Sequence, residues 1–159
     1  MHRMSARHVV VAVLPLLMVM GVNTAFAHCE IPCGIYDDEM RFEMIVEHIV
    51  TVEKSMNMIL TLIEQERIDH NQLVRWINNK ESHADEIQDI VCQYFMTQRI
   101  KPVEKGEDVK YITYVKQITL LHHMLIIAMK MKQTTDLTTA EKFRSLLEEF
   151  RAVYFGGKK

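Results

Sequence analysis

The chain is poor in the residues that build most catalytic frameworks. It holds three cysteines, five glycines, three prolines and one tryptophan in 159 residues. No Glu-x-x-His occurs, so a carboxylate-bridged di-iron bundle lacks its motif. No His-Glu-x-x-His occurs either, which removes the helical zinc-protease signature. No turn offers a nucleophile for Ser-His-Asp catalysis. Alternating strand patterns, internal repeats and low-complexity tracts are all absent. There is no basic excess, since the net charge is −2, and nucleic acid is thereby an unfavoured partner.

What is present begins with an export signal. Arg3 and Arg7 precede an apolar run over residues 9–22, and Ala25-Phe26-Ala27 supplies the small-x-small cleavage pattern of a secretory signal peptide. The run, about 14 residues, is short of the roughly 20 that a membrane anchor needs. Residues 1–27 are therefore expected to be removed, leaving 28–159 as one exported domain, periplasmic or secreted. Arg3 and Arg7 are the only charges lost, which takes the net charge from −2 to −4. No second long apolar run is read, so the mature chain is expected to be free of the membrane.

Export changes the meaning of the thiols, because outside the cytoplasm they usually pair. Cys29 and Cys33 are close enough for a small disulfide loop, and spacing alone favours that reading. Cys92 lies in an apolar helical stretch and reads as a small buried hydrophobe. Cleavage after Ala27 opens another reading. His28 would then offer a free α-amine and an imidazole, Cys29 a backbone nitrogen and a thiolate, and Cys33 a second thiolate. A flat set of two nitrogens and two sulfurs suits Ni(II) or Cu(II), whereas four tetrahedral sulfurs would suit zinc. Pro32 and Gly34 shape the return turn.

Helical periodicity covers the rest, and predicts an all-α fold: an up-down four-helix bundle preceded by an irregular N-terminal arm over 28–36. The first helix spans 38 to about 65, with Ile45, Ile49, Val52, Met56, Ile59 and Ile63 inward and Asp37 or Asp38 as cap. A second follows a capping box at Asp69 and Gln72 and ends near 98. Its stripe is Leu73, Ile77, Ala84, Ile87, Val91 and Tyr94, interrupted at Lys80. A loop runs from Lys101-Pro102 to Gly106. The third helix, about 107–132, is expected to turn Ile112, Val115, Thr119, His122, Ile126 and Met129 inward. The fourth begins at the Thr138/Glu141 capping box, buries Phe143, Leu146, Leu147, Phe150, Val153 and Tyr154, and stops at Gly156-Gly157. His48, His70 and His123 fall on polar faces.

The string His28-Cys29-Glu30-Ile31-Pro32-Cys33-Gly34-Ile35-Tyr36 resembles the hook of the nickel superoxide dismutases, whose mature chains begin His-Cys-x-x-Pro-Cys-Gly-x-Tyr. The resemblance implies one nickel ion per subunit, held by His28, Cys29 and Cys33, and superoxide as substrate, converted to dioxygen and hydrogen peroxide. It implies that Tyr36 lines the pocket and limits access, and that Tyr94, in Gln93-Tyr94-Phe95, is a second pocket tyrosine. Glu43, in Arg41-Phe42-Glu43, matches a glutamate that orients the axial imidazole. The arginine that backs this glutamate in some relatives is replaced by His83, in Lys80-Glu81-Ser82-His83-Ala84. A homohexamer is implied as well. The alternative is an exported, non-catalytic bundle that holds nickel or copper.

Overall fold

The computed structural model describes residues 38–106 and 108–156. The expected signal peptide, 1–27, and the expected hook, 28–36, lie outside the described residues. Those described form helices and no strand: α1 Asp38–Ile63, α2 His70–Asp89, α3 Asp108–Gln133 and α4 Thr138–Gly156. At Ile90 the α2 helix continues, without a break, into a wider π-helical segment, Ile90–Arg99. Each helix packs on its neighbours in sequence, and α1 meets α4. Short connections and a closed ring of contacts give the up-down bundle that the periodicity predicts.

The core follows the stripes of α1 and α4. Phe42, Ile45, Ile49, Val52, Met56 and Ile59 are buried on α1, and Phe143, Leu147, Phe150 and Tyr154 on α4. Each fully buried residue of this size contributes about 1.5–3 kcal/mol relative to exposure. Ile63 departs from the expected stripe, being half exposed in the last turn of α1. On α2, Ala84, Ile87, Val91 and Tyr94 are buried as expected, but Ile77 faces out. Lys80, which interrupts the apolar pattern, is itself buried: its ammonium donates to the carbonyls of Lys132, at 2.5 Å, and Thr134, at 3.1 Å. Its long stem fills an apolar slot while its head meets the unbonded carbonyls at the end of α3.

The predicted face of α3 is reversed. Leu120, Leu121, Met124, Ile127, Ala128 and Met131 are the buried residues, while Ile112, Val115, Thr119, His122, Ile126 and Met129 all face outward. This helix is apolar on two sides, so period alone does not choose the phase. It is also long and apolar enough to cross a membrane by length and composition, which the sequence reading overlooked.

Local chemistry sets the ends. The Asp69 carboxylate caps α2 by accepting from the Gln72 amide at 3.1 Å, as expected. At α4 the acceptor is Asp136, which takes bonds from the Thr138 amide (3.0 Å) and hydroxyl (2.8 Å). The amide of Glu141 turns to the Leu137 carbonyl, so the anticipated Thr138 box gives way to an Asx turn two residues upstream. Gly106 has φ +146°, a conformation that favours glycine, and nothing lies within 4 Å of where its Cβ would be. Backbone conformation, not space, selects glycine there.

Candidate metal centre

His28, Cys29, Cys33 and Tyr36 all lie outside the described residues. What the structure does describe is the ground immediately after them. Asp38 opens α1 with its carboxylate turned into the bundle and buried. Oδ1 accepts from the Tyr94 hydroxyl at 2.6 Å, and Oδ2 from the Tyr154 hydroxyl at 2.9 Å. The Arg99 guanidinium lies 2.6 Å from Oδ1 and 2.8 Å from Oδ2, and its Nε donates to the Tyr154 hydroxyl at 3.3 Å. A carboxylate out of water needs a cation and satisfied lone pairs, and this one has both.

The π-helical segment explains how two of those partners reach one acceptor. Its backbone bonds span five residues, as where the Ile100 amide donates to the Phe95 carbonyl at 2.9 Å, and the Thr97 side-chain hydroxyl also reaches the Cys92 carbonyl at 2.8 Å. This wider winding brings residues five apart near one face, so Tyr94 and Arg99 both reach Asp38. Aromatic packing holds the cluster in place. Phe42 lies 4.9 Å from Phe95 and 5.5 Å from Phe150 by ring centroids. The Arg41 and Arg99 guanidinium groups lie against the Tyr94 ring at 5.0 and 5.6 Å, within the range of cation–π attraction.

Electrostatics keeps Tyr94 protonated. Burial, and then the hydrogen bond to Asp38 and its charge, push the phenol up to about 12. Arg99 is held more firmly protonated than usual, chiefly by its bonds to Asp38 and Tyr154.

The other two expected residues are placed apart from this cluster. Glu43 is exposed and lies 3.0 Å from the Arg151 guanidinium, which also pairs with Glu39. His83 does not back Glu43 in any described contact; its Nδ1 lies 2.8 Å from Nδ1 of His48, across the α1–α2 seam. One nitrogen of such a pair carries the shared proton and the other accepts it. Burial and the neighbouring His83 lower the pKa of His48. His48 is thus a seam residue and not simply one of a polar face. The cation beside Glu43 comes from α4, where no sequence signal pointed.

The donor chemistry can be tested against nickel. Among the described residues no group of three or more His, Cys, Asp or Glu side chains could hold a metal ion. Cys92 is free, half-buried instead of fully buried, and its thiol is pushed up by burial and by Asp89, so it is not poised as a thiolate. The donor types that fit stand in the sequence at residues 28–33, where an imidazole, two thiols and backbone nitrogens fall within six residues. Strong anionic donors of this kind suit a square-planar late transition metal.

The contacts of Asp38, Arg99, Tyr154 and Arg151 carried no direct signal in the sequence. Asp38 reads locally as a cap, and its partners stand 56 to 116 residues away. The one hint is an aspartate, tyrosines and an arginine all at predicted helix ends.

Comparison with known proteins gives one match. The model of a family described as nickel-containing superoxide dismutase matches residues 23–158. No curated protein and no solved structure matches.

Proposed function

The chain belongs to the family of nickel-containing superoxide dismutases, and we propose that residues 28–36 are its reaction centre. Its activity is the nickel-dependent conversion of two superoxide anions and two protons to dioxygen and hydrogen peroxide. The bound nickel supplies a one-electron couple between its divalent and trivalent states. His28, through amine and imidazole, Cys29, through amide nitrogen and thiolate, and Cys33, through its thiolate, would hold it. The thiolates and the amide donate enough charge to make the higher state accessible, which water ligands do not.

The observation that carries this reading is the position of the string. His-Cys-x-x-Pro-Cys-Gly-x-Tyr starts directly after the expected cleavage site and lies inside the matched residues 23–158. Tyr36 and Tyr94 then line the pocket and limit access. Glu43 orients the His28 imidazole, the usual task of a carboxylate beside a ligating histidine. Arg151 supports Glu43 in the role that His83 has left.

Export through residues 1–27, to the periplasm or the medium, completes the reading. So does assembly into a homohexamer. The outward stripe of α3 supports assembly: Ile112, Val115, Ile126 and Met129, with Thr119 and His122 between them, recur at three- and four-residue spacing and stay exposed, the pattern of an unsatisfied helix seam.

Serine at Cys29 or Cys33 tests the centre. Either variant should lose nickel and dismutation while far-ultraviolet circular dichroism stays unchanged; unfolding of both would instead identify a structural disulfide. One extra residue before His28 should block activity, and full activity would overturn the amine ligand. Light scattering on the mature protein should give a hexamer, and a smaller particle in an Ile112→Glu/Ile126→Glu variant. Vesicle binding without self-association would assign the stripe to a membrane.

A further inference from the structure

Asp38 follows Tyr36 by two residues in the sequence, and its bond to Tyr94 has a consequence for what Tyr94 can do. A phenol has one proton. That of Tyr94 goes to Asp38 Oδ1 at 2.6 Å, and the carboxylate cannot turn away, because Arg99 and Tyr154 fix its other contacts at 2.6–2.9 Å. Only lone pairs remain on the Tyr94 oxygen.

We infer that Asp38 is a positioning residue of the reaction centre, which fixes the Tyr94 hydroxyl as a hydrogen-bond acceptor, so that any pocket species Tyr94 holds must itself bear a proton. Water and the product hydrogen peroxide qualify. The superoxide anion does not, having no proton to give and meeting only lone pairs. Tyr94 thus sorts neutral, proton-bearing oxygen species from the anionic substrate. This rests on the reading of Tyr94 as a pocket tyrosine.

The same geometry shows why Tyr94 is a poor direct acid. Its proton lies between two oxygens, one a carboxylate held by a guanidinium, and giving it up would leave a phenolate against that carboxylate. Burial and Asp38 together oppose such ionisation.

The test uses the full mature protein and the variant Asp38→Leu/Arg99→Met. Removing both charges together avoids leaving one buried and unpaired. In nickel-free protein, the Tyr94 phenol, assigned by difference from Tyr94→Phe, should titrate at lower pH by ultraviolet absorbance in the double variant. In nickel-loaded protein, azide, a small anion that cannot donate a proton, should inhibit about tenfold more tightly once the hydroxyl is free to donate. Nickel content per chain should stay the same. An unmoved phenol titration or unmoved azide inhibition in a folded variant overturns the inference. Loss of the helical signal overturns it too, since Asp38 would then be a determinant of the fold. A wild-type mature protein that binds no nickel would instead sink the assignment of residues 28–36, while the phenol titration would still judge the Asp38–Tyr94 bond.

Discussion

Among the described residues two charges are buried, towards opposite ends of the bundle, and they are accommodated in opposite ways. Asp38, where α1 begins, is met by side chains: two tyrosine hydroxyls and an arginine. Lys80, near the end of α3, is met by backbone: the carbonyls of Lys132 and Thr134, with Glu81 no nearer than 3.7 Å. The carbonyls lie at the negative end of a helix dipole and would be present whatever the sequence. The partners of Asp38 are chosen residues, and one of them, Tyr94, is a pocket residue in our reading. The backbone solution works as a rivet. The side-chain solution can be tuned by substitution.

Mutations can break that contrast, the largest effect coming from Asp38→Ala. It strands a buried phenol and leaves Arg99 without its carboxylate, and should lower unfolding stability by about 3 kcal/mol in urea titration. An effect under about 1 kcal/mol would erase the difference between the two ends. Lys80→Ala opens a gap and should cost about 2 kcal/mol, whereas Lys80→Met refills the slot and should stay within about 1 kcal/mol of wild type. Equal losses for the two would show that the ammonium, not the stem, matters. Lys116→Gln removes an exposed partner of Glu149 at 3.0 Å and should change stability by less than about 0.5 kcal/mol.

A fourth test concerns pH. His48 has a lowered pKa in the folded state, so the unfolded chain takes up its proton first as pH falls. The stabilisation is then full above 6.5, the ordinary value, and is lost as pH drops from 6.5 to the folded pKa. His83→Gln, which removes the like charge across the seam, should flatten this slope in thermal melts measured between neutral and acid pH. An unchanged slope would remove the histidine pair as its source.

Much of this was legible in the sequence, for identifiable reasons. The stripes of α1 and α4 are amphipathic, so their buried faces could be read almost residue by residue. The hook is a string of fixed types at fixed spacing, and it needs no fold to be recognised. The phase of α3 was not legible, because Leu120, Met124 and Ile127 compete with Ile112, Ile126 and Met129 for the inside. Lys80 looked like an interruption because its carbonyl partners, 52 and 54 residues on, carry no side-chain signal. Asp38 looked like a cap for a different reason: its side-chain partners are distant in sequence, Arg99 being 61 residues away and Tyr154 116.

The broadened turn at Ile90–Arg99 makes length as important as identity. Ordinary helical winding advances about 100° per residue, so rewinding the stretch at its present length would set Tyr94 and Arg99, five residues apart, about 140° from one another, whereas losing one residue between them would leave them four apart, about 40° from one another and still on one face. The extra residue and the wide winding are thus matched: a deletion that removes both should spare the Asp38 cluster, whereas rewinding the stretch at full length would dismantle it without altering a single one of its named members.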